Sequence, residues 1–262
     1  MTTAAARGPV ALVLHQARFD LRGFLRNRQA RFFTLILPLL FLVIFSSVFG
    51  SDTVGGVELK TFYVPGISAM AVIAASFINL VISIVVLREE GILKRRRATP
   101  VPAWALIAGR TLMAILVSAA SVVILLLVGR FAYHVQMPAR NIPGFAVTAV
   151  VGSITFCVLA YAFSTAISNE DAAQPMVQAV MLPLYFISGV FIAPPQLPSW
   201  LQHVAQLFPV QHLADGLHHA FNPGTTGVGI VWSDLGALAI WAAVGVVVAL
   251  RRFSWLPKAA TG

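Results

Sequence analysis

Apolar residues gather into long blocks separated by short polar stretches, and six blocks approach the length of a membrane span: Phe32 to Phe49, Phe62 to Leu87, Trp104 to Gly129, Ile142 to Ile167, Pro175 to Ala193, and Leu235 to Leu250. About 20 mostly apolar residues carry a helix across the hydrocarbon core, where every backbone amide must be paired within the segment. The pattern therefore predicts an all-α, polytopic membrane protein with six transmembrane helices. Composition agrees, since 58% of residues are hydrophobic and 10% charged, against roughly 25% charged in soluble domains. No polar stretch is long enough to fold alone, so residues 1–262 read as a single transmembrane domain.

Ahead of the first block, Val10, Val13, Leu14, Ala17, Leu21, Phe24 and Leu25 recur at helical spacing, with Arg18, Arg22 and Arg26 along one flank. This predicts an amphipathic interface helix over residues 9–29, lying in the headgroup plane. The first block is longer than a signal-peptide core and follows six arginines, which predicts a retained span.

The net charge of +9 raises the question of nucleic acid, but its distribution points to the membrane instead. If the six spans alternate, one side carries fifteen of the eighteen Lys and Arg residues and the other only Lys60, Arg130 and Arg140. The positive-inside rule then puts both termini and the loops after spans two and four in the cytoplasm, with the plasma membrane as the expected location. Arg outnumbers Lys fifteen to three, which with abundant Ala, Val and Gly hints at a GC-rich bacterial genome. Cys157 lies alone within an apolar run, so no intrachain disulfide can form and a buried bystander is expected.

The loop after span two runs from Arg88-Glu89-Glu90-Gly91 to Lys94-Arg95-Arg96-Arg97-Ala98-Thr99-Pro100. Acids four or five residues before bases support a short helix, and Pro100 and Pro102 end it. A charge run often serves only to fix topology, yet topology needs no acids. Together with Phe62-Tyr63-Val64-Pro65-Gly66 and Leu182-Pro183-Leu184-Tyr185-Phe186-Ile187-Ser188-Gly189, this loop resembles the type 2 ATP-binding-cassette exporter permeases, nearest the drug-exporter branch of the daunorubicin-resistance kind. The resemblance covers essentially the whole chain. It implies that the loop is a coupling helix docking onto a separate ATPase subunit through Arg88, Glu89, Glu90, Gly91, Lys94, Arg95 and Arg96. It further implies a second permease subunit, identical or paralogous, and ATP with Mg bound by the partner.

A P-loop needs G-x-x-x-x-G-K-[ST]. Of the three lysines only Lys60 precedes Ser or Thr, and Leu59 stands where glycine is needed, so no ATP site or other cofactor site is expected in this chain.

Asn79 falls near the middle of span two, where an amide either ties helices together or lines a path. Pro38 and Pro183 predict kinks, and Gly152, Ser153, Ser164 and Gly189 permit close helix contacts. Residues 194–234 carry no Lys or Arg but hold apolar positions at helical spacing broken at Pro209, and two short helices on the outer leaflet are expected. The resemblance makes these a re-entrant hairpin on the exit side. His203, His212, His218, His219 and Asp215 lie here without metal-site spacing, so interfacial histidines are the default reading.

The expected function is a permease moving a hydrophobic or amphipathic substrate. A membrane enzyme or an ion-coupled carrier is the alternative. Each would need ionisable groups at membrane depth, and all nine acids lie outside the apolar cores.

Overall fold

The computed structural model describes residues 8–54, 57–92, 102–222, 224–225 and 227–253. Nine helices appear among them: α1 (Pro9–Arg26), α2 (Arg28–Phe49), α3 (Leu59–Glu89), α4 (Ala103–Ala132), α5 (Ile142–Ser164), α6 (Glu170–Ile187), α7 (Ser199–Ala205), α8 (Pro209–Phe221) and α9 (Trp232–Arg252). The only strands among these residues are a two-residue antiparallel pair between α2 and α3, Thr53 facing Glu58.

Of these helices α2, α3, α4, α5 and α9 are long and apolar enough to cross a membrane. The central one is α3. In its most apolar stretch 72% of residues are buried, against 11% in α9 and 22% in α2, which leave broad apolar faces uncovered. Around α3 pack α2, α4, α5, α6 and α8, while α9 lies along α5. Close approach to α3 is built into its sequence at Gly66, where an added Cβ would sit 2.6 Å from the Val190 carbonyl oxygen.

Several expected boundaries move for local reasons. The first helix ends at Arg26 rather than 29 because Asn27 is extended (φ −82°, ψ 104°) and its side chain accepts from the Ala30 amide at 3.0 Å. One residue thus closes α1 and caps α2, and the first span helix begins at Arg28 instead of Phe32. The fourth helix stops at Ser164, three residues short of the expected Ile167.

The fifth stretch, expected over 175–193, forms a helix over Glu170–Ile187 instead. Asn169 caps it by accepting from the Ala172 amide at 2.9 Å, and Glu170 and Asp171 sit in the first turn, where the helix dipole favours acids. Gly189, at φ +71°, takes the left-handed conformation that turns the chain after the helix. Glu170, Asp171, Gln174 and Gln178 keep α6 out of the strongly apolar group.

Pro38 follows directly on a widened turn of α2. A proline there has no N–H to offer the preceding turn, and residues Phe32–Ile36 widen into a π-turn, with the Leu37 amide bonded five residues back to the Phe32 carbonyl. A second π-turn, Ala74–Ile78, interrupts α3 just before Asn79 and packs against the first.

The described part of residues 194–234 forms two short helices, α7 and α8, with Pro209 at the first turn of α8. Leu213 and Leu217 of α8 are fully buried, and Gly152 of α5 leaves room for the Leu213 side chain.

Candidate functional site

The residues singled out from sequence fall into three places. Arg18, Arg22 and Arg26 are exposed along α1. Their helix is docked on α4: Ala17 and Phe24 are buried, and Asp20 pairs with Arg110 at 3.6 Å between side chains that are both nearly inaccessible. Gly109 allows this approach, since a Cβ there would meet Gln16 at 2.6 Å. The apolar stripe is only partly used, because Val10, Leu14 and Leu25 stay exposed.

The second place is the C-terminal end of α3. Arg88 is 1% exposed. Its Nη1 donates to the Ser164 carbonyl oxygen at 3.0 Å and its Nη2 to the Ile167 carbonyl oxygen at 2.8 Å, while Nε donates to Glu89 Oε1 at 3.0 Å. The last carbonyls of a helix lack intrahelical partners and carry partial negative charge, so a guanidinium fork is a fitting cap. Arg88 therefore points into the protein and ties the end of α3 to the α5–α6 junction. Glu89 is half-buried beside it, Glu90 is exposed, and Gly91 turns the chain at φ +68°. Lys94, Arg95 and Arg96 lie outside the described residues.

The third place is a cavity of about 680 Å³ bounded by α1, α2, the second half of α3, α4 and α6. Asn79 is in its wall, one residue past the π-turn of α3, and its amide has no hydrogen-bond partner among the described residues. The same lining includes one face of α6, with Glu170, Gln174 and Gln178 at successive turns and Tyr185 two turns further on. Tyr185 is 1% exposed and its hydroxyl is unpaired. Phe33, Ala74, Ala75 and Ile78 supply apolar wall from the two π-turns. Sequence reading flagged Asn79 but missed the α6 ladder. Its signal was present as polar residues spaced by four within an otherwise apolar stretch.

Around α8, His212 places Nδ1 2.9 Å from Asp234 Oδ1 and donates from Nε2 to the Gln206 carbonyl oxygen at 3.0 Å. Gln211 donates to both Asp215 oxygens at 2.8 Å, and burial raises that carboxyl above its ordinary value. His218 stacks on Phe62 at 4.4 Å between ring centres and donates to the Gly189 carbonyl oxygen at 2.9 Å. Packing around the ring pushes the His218 pKa down to about 4. These contacts hold α8 to α3, α6 and α9. His203 and His219 join no such network, and the described residues contain no grouping of three or more His, Cys, Asp or Glu able to hold a metal.

Long apolar helices around a buried central helix define a helical membrane protein with a cavity walled by polar and apolar side chains. Comparison gives the family: the model of the ABC-2 type transporter matches residues 14–222, so the chain belongs to that family and is a transmembrane permease. It is 25% identical over 183 residues to the probable multidrug ABC transporter permease YbhR of Escherichia coli K12, covering 70% of this chain and 49% of that protein, so it spans about half the length of this relative. It is 26% identical over 217 residues to the daunorubicin resistance ABC transporter permease protein DrrB1 of Streptomyces coeruleorubidus, covering 79% of this chain and 75% of the relative. To the inner membrane transport permease YadH of E. coli K12 it is 24% identical over 236 residues, covering 85% of this chain and 86% of the relative.

Proposed function

We propose that this chain is the membrane subunit of an ATP-driven exporter for hydrophobic or amphipathic substrates, with ATP and Mg bound by a separate ATPase subunit and a second permease subunit completing the path. Two of the relatives carry multidrug transport or daunorubicin resistance in their names.

Six spans fit the packing. The 18 residues of α6 reach about 27 Å at 1.5 Å per residue, close to the hydrocarbon thickness of about 30 Å. One end of α6 lies beside Arg88, through Ile167, and the other beside Gly66, through Val190. Since α3 crosses the bilayer between those same two residues, α6 crosses with it. The basic ends of the helices then face the cytoplasm, α1 lies at that surface, and α7 with α8 forms a re-entrant hairpin on the far side.

The observation that carries the reading is the position of Arg88. It joins the segment beginning at Glu89, where the ATPase would dock, to the start of α6, which walls the cavity. A push on the segment would thereby reach the cavity wall through a fixed contact rather than through loose loop. Allosteric coupling requires such a differential contact between two states. Glu90 and Gly91, with Glu89 and the cations at 94–96, form the docking surface, and Arg88 positions it.

Reversing charge at Glu89 and Glu90 together tests this. Co-purification with a co-expressed ATPase subunit should fall sharply and transport with it, while membrane insertion is unchanged. Undiminished pull-down and transport would remove the docking assignment.

A further inference from the structure

The His212 ring bridges two acceptors. Its Nδ1 lies 2.9 Å from Asp234 Oδ1 at the start of α9, and its Nε2 lies 3.0 Å from the carbonyl oxygen of Gln206, the residue that ends α7. A backbone carbonyl can only accept, and so can an ionised carboxylate, whereas a neutral imidazole offers one N–H and one bare lone pair. Both bonds therefore exist together only when the site holds one proton more than a neutral histidine beside an ionised aspartate. Without that proton, a ring lone pair faces an acceptor oxygen at hydrogen-bonding distance.

The charges around the ring favour the extra proton. The side chains of His212 and Asp234 are 21% and 13% exposed, so water screens their attraction weakly. A second carboxylate, Asp215, lies one turn along α8 and interacts with both of them. Residues 194–234 contain no Lys or Arg to compensate these acids. The elements packed on α8 are α3, α5, α6 and α9. Of these, α5 has no charged residue, Lys60 of α3 is paired with Glu58 at 2.9 Å, and Arg251 and Arg252 stand in the last turn of α9 while Asp234 is in its first. Arg88 and Glu89 of α3, with Glu170 and Asp171 of α6, lie at the other end of the bundle. On α7 the titratable residue is His203, which is exposed, and α8 itself adds His218 and His219 in its last turn.

We propose that His212 and Asp234 form a proton-binding clamp: the imidazolium, held by the Asp234 carboxylate, ties the corner between α7 and α8 to the start of α9, and release of the proton frees that corner. The proton belongs on the ring, because imidazole, with a pKa of about 6.5, is far more basic than a carboxylate at about 3.9. On release, the remaining N–H stays with the charged acceptor, which makes the stronger bond. Nε2 then confronts the Gln206 carbonyl, and the turn joining α7 to α8 loses its tie. The clamp is complete while loaded and is lost as the pH rises, so acid leaves it closed. It requires neither the ATPase contact nor a substrate.

The test uses the full chain in liposomes with nitrogen-15 histidine, read by solid-state NMR, with the His212 signals assigned by their loss in His212→Gln. At pH 7.5 an ordinary histidine is about nine-tenths neutral, whereas His212 should have both nitrogens protonated in more than half of the molecules. Asp234→Asn should return the ring to the neutral form with its proton on Nε2, because the new amide can donate to Nδ1. Spin labels on Trp200→Cys of α7 and Gly236→Cys of α9, in a Cys157→Ala background, report the corner; both positions are open, Trp200 being exposed and Gly236 having nothing within 4 Å of an added Cβ. Their distance distribution should be narrow while the ring is loaded and broaden as rising pH unloads it. In the Asp234→Asn protein it should stay narrow throughout, since both bonds survive with a neutral ring. A wild-type ring neutral at pH 7.5, a ring unaffected by Asp234→Asn, or distances that depart from this pattern would overturn the proposal.

Discussion

Arg88 holds the C-terminal end of α5 through the Ser164 carbonyl oxygen, 3.0 Å from its Nη1, and does so from inside the protein rather than from its surface. A second bond to the Ile167 carbonyl at 2.8 Å extends the clamp beyond the helix end. The residue at the start of the expected docking loop is thus a structural cap for a neighbouring helix.

Replacing Arg88 by Met should destabilise the protein by about 3 kcal/mol, because hydrogen bonds to a charged group contribute about 1.5–3 kcal/mol each and the carbonyls are left buried without donors. Lys keeps the charge but lacks the fork, so Arg88→Lys should recover only part of the loss. Reversible unfolding in mixed detergent measures both. Equal stability of Met, Lys and wild type would show that the clamp contributes nothing.

Gly66→Ala should destabilise by about 1–3 kcal/mol, the usual range for overpacking, since its methyl would sit 2.6 Å from the Val190 carbonyl oxygen. Gly236→Ala, at an α9 position with nothing within 4 Å, should cost nothing. The same unfolding assay compares them.

His218 makes the packing of α8 sensitive to acid. Its pKa in the fold is lowered from 6.5 to about 4 by burial, so the folded state favours the neutral ring. Stability from this residue is complete above pH 6.5 and is lost as the pH falls from there toward 4. Asp215 acts with the opposite sign, its raised carboxyl pKa favouring the fold as the pH falls toward 3.8 and offsetting part of the His218 loss. Melting temperature should therefore fall between pH 7 and pH 5, and His218→Phe, which keeps the stack on Phe62, should flatten that slope.

Span positions were legible because lipid imposes long apolar runs, and Asn79 stood out because an amide is costly in such a run. The start of α6 was not legible by the same rule. Hydropathy counts Glu170, Gln174 and Gln178 against a span, whereas Asn169 caps the helix ahead of them and the cavity gives their side chains a polar wall. Arg88 was misjudged for a related reason. A cation at the end of an apolar run reads as a loop charge, and nothing nearby in sequence reveals that the carbonyls it satisfies lie 76 and 79 residues further on. The amphipathic stripe of α1 was visible, but its use was not, because docking on α4 depends on Gly109 and the Asp20–Arg110 pair.

The most direct test of the coupling account places a single cysteine at Arg95 in a Cys157→Ala background and labels it with a membrane-impermeant maleimide. Labelling should occur in inside-out vesicles, not in right-side-out ones, and bound ATPase subunit should block it. Labelling from the outside, or labelling that the ATPase leaves unchanged, would contradict the account.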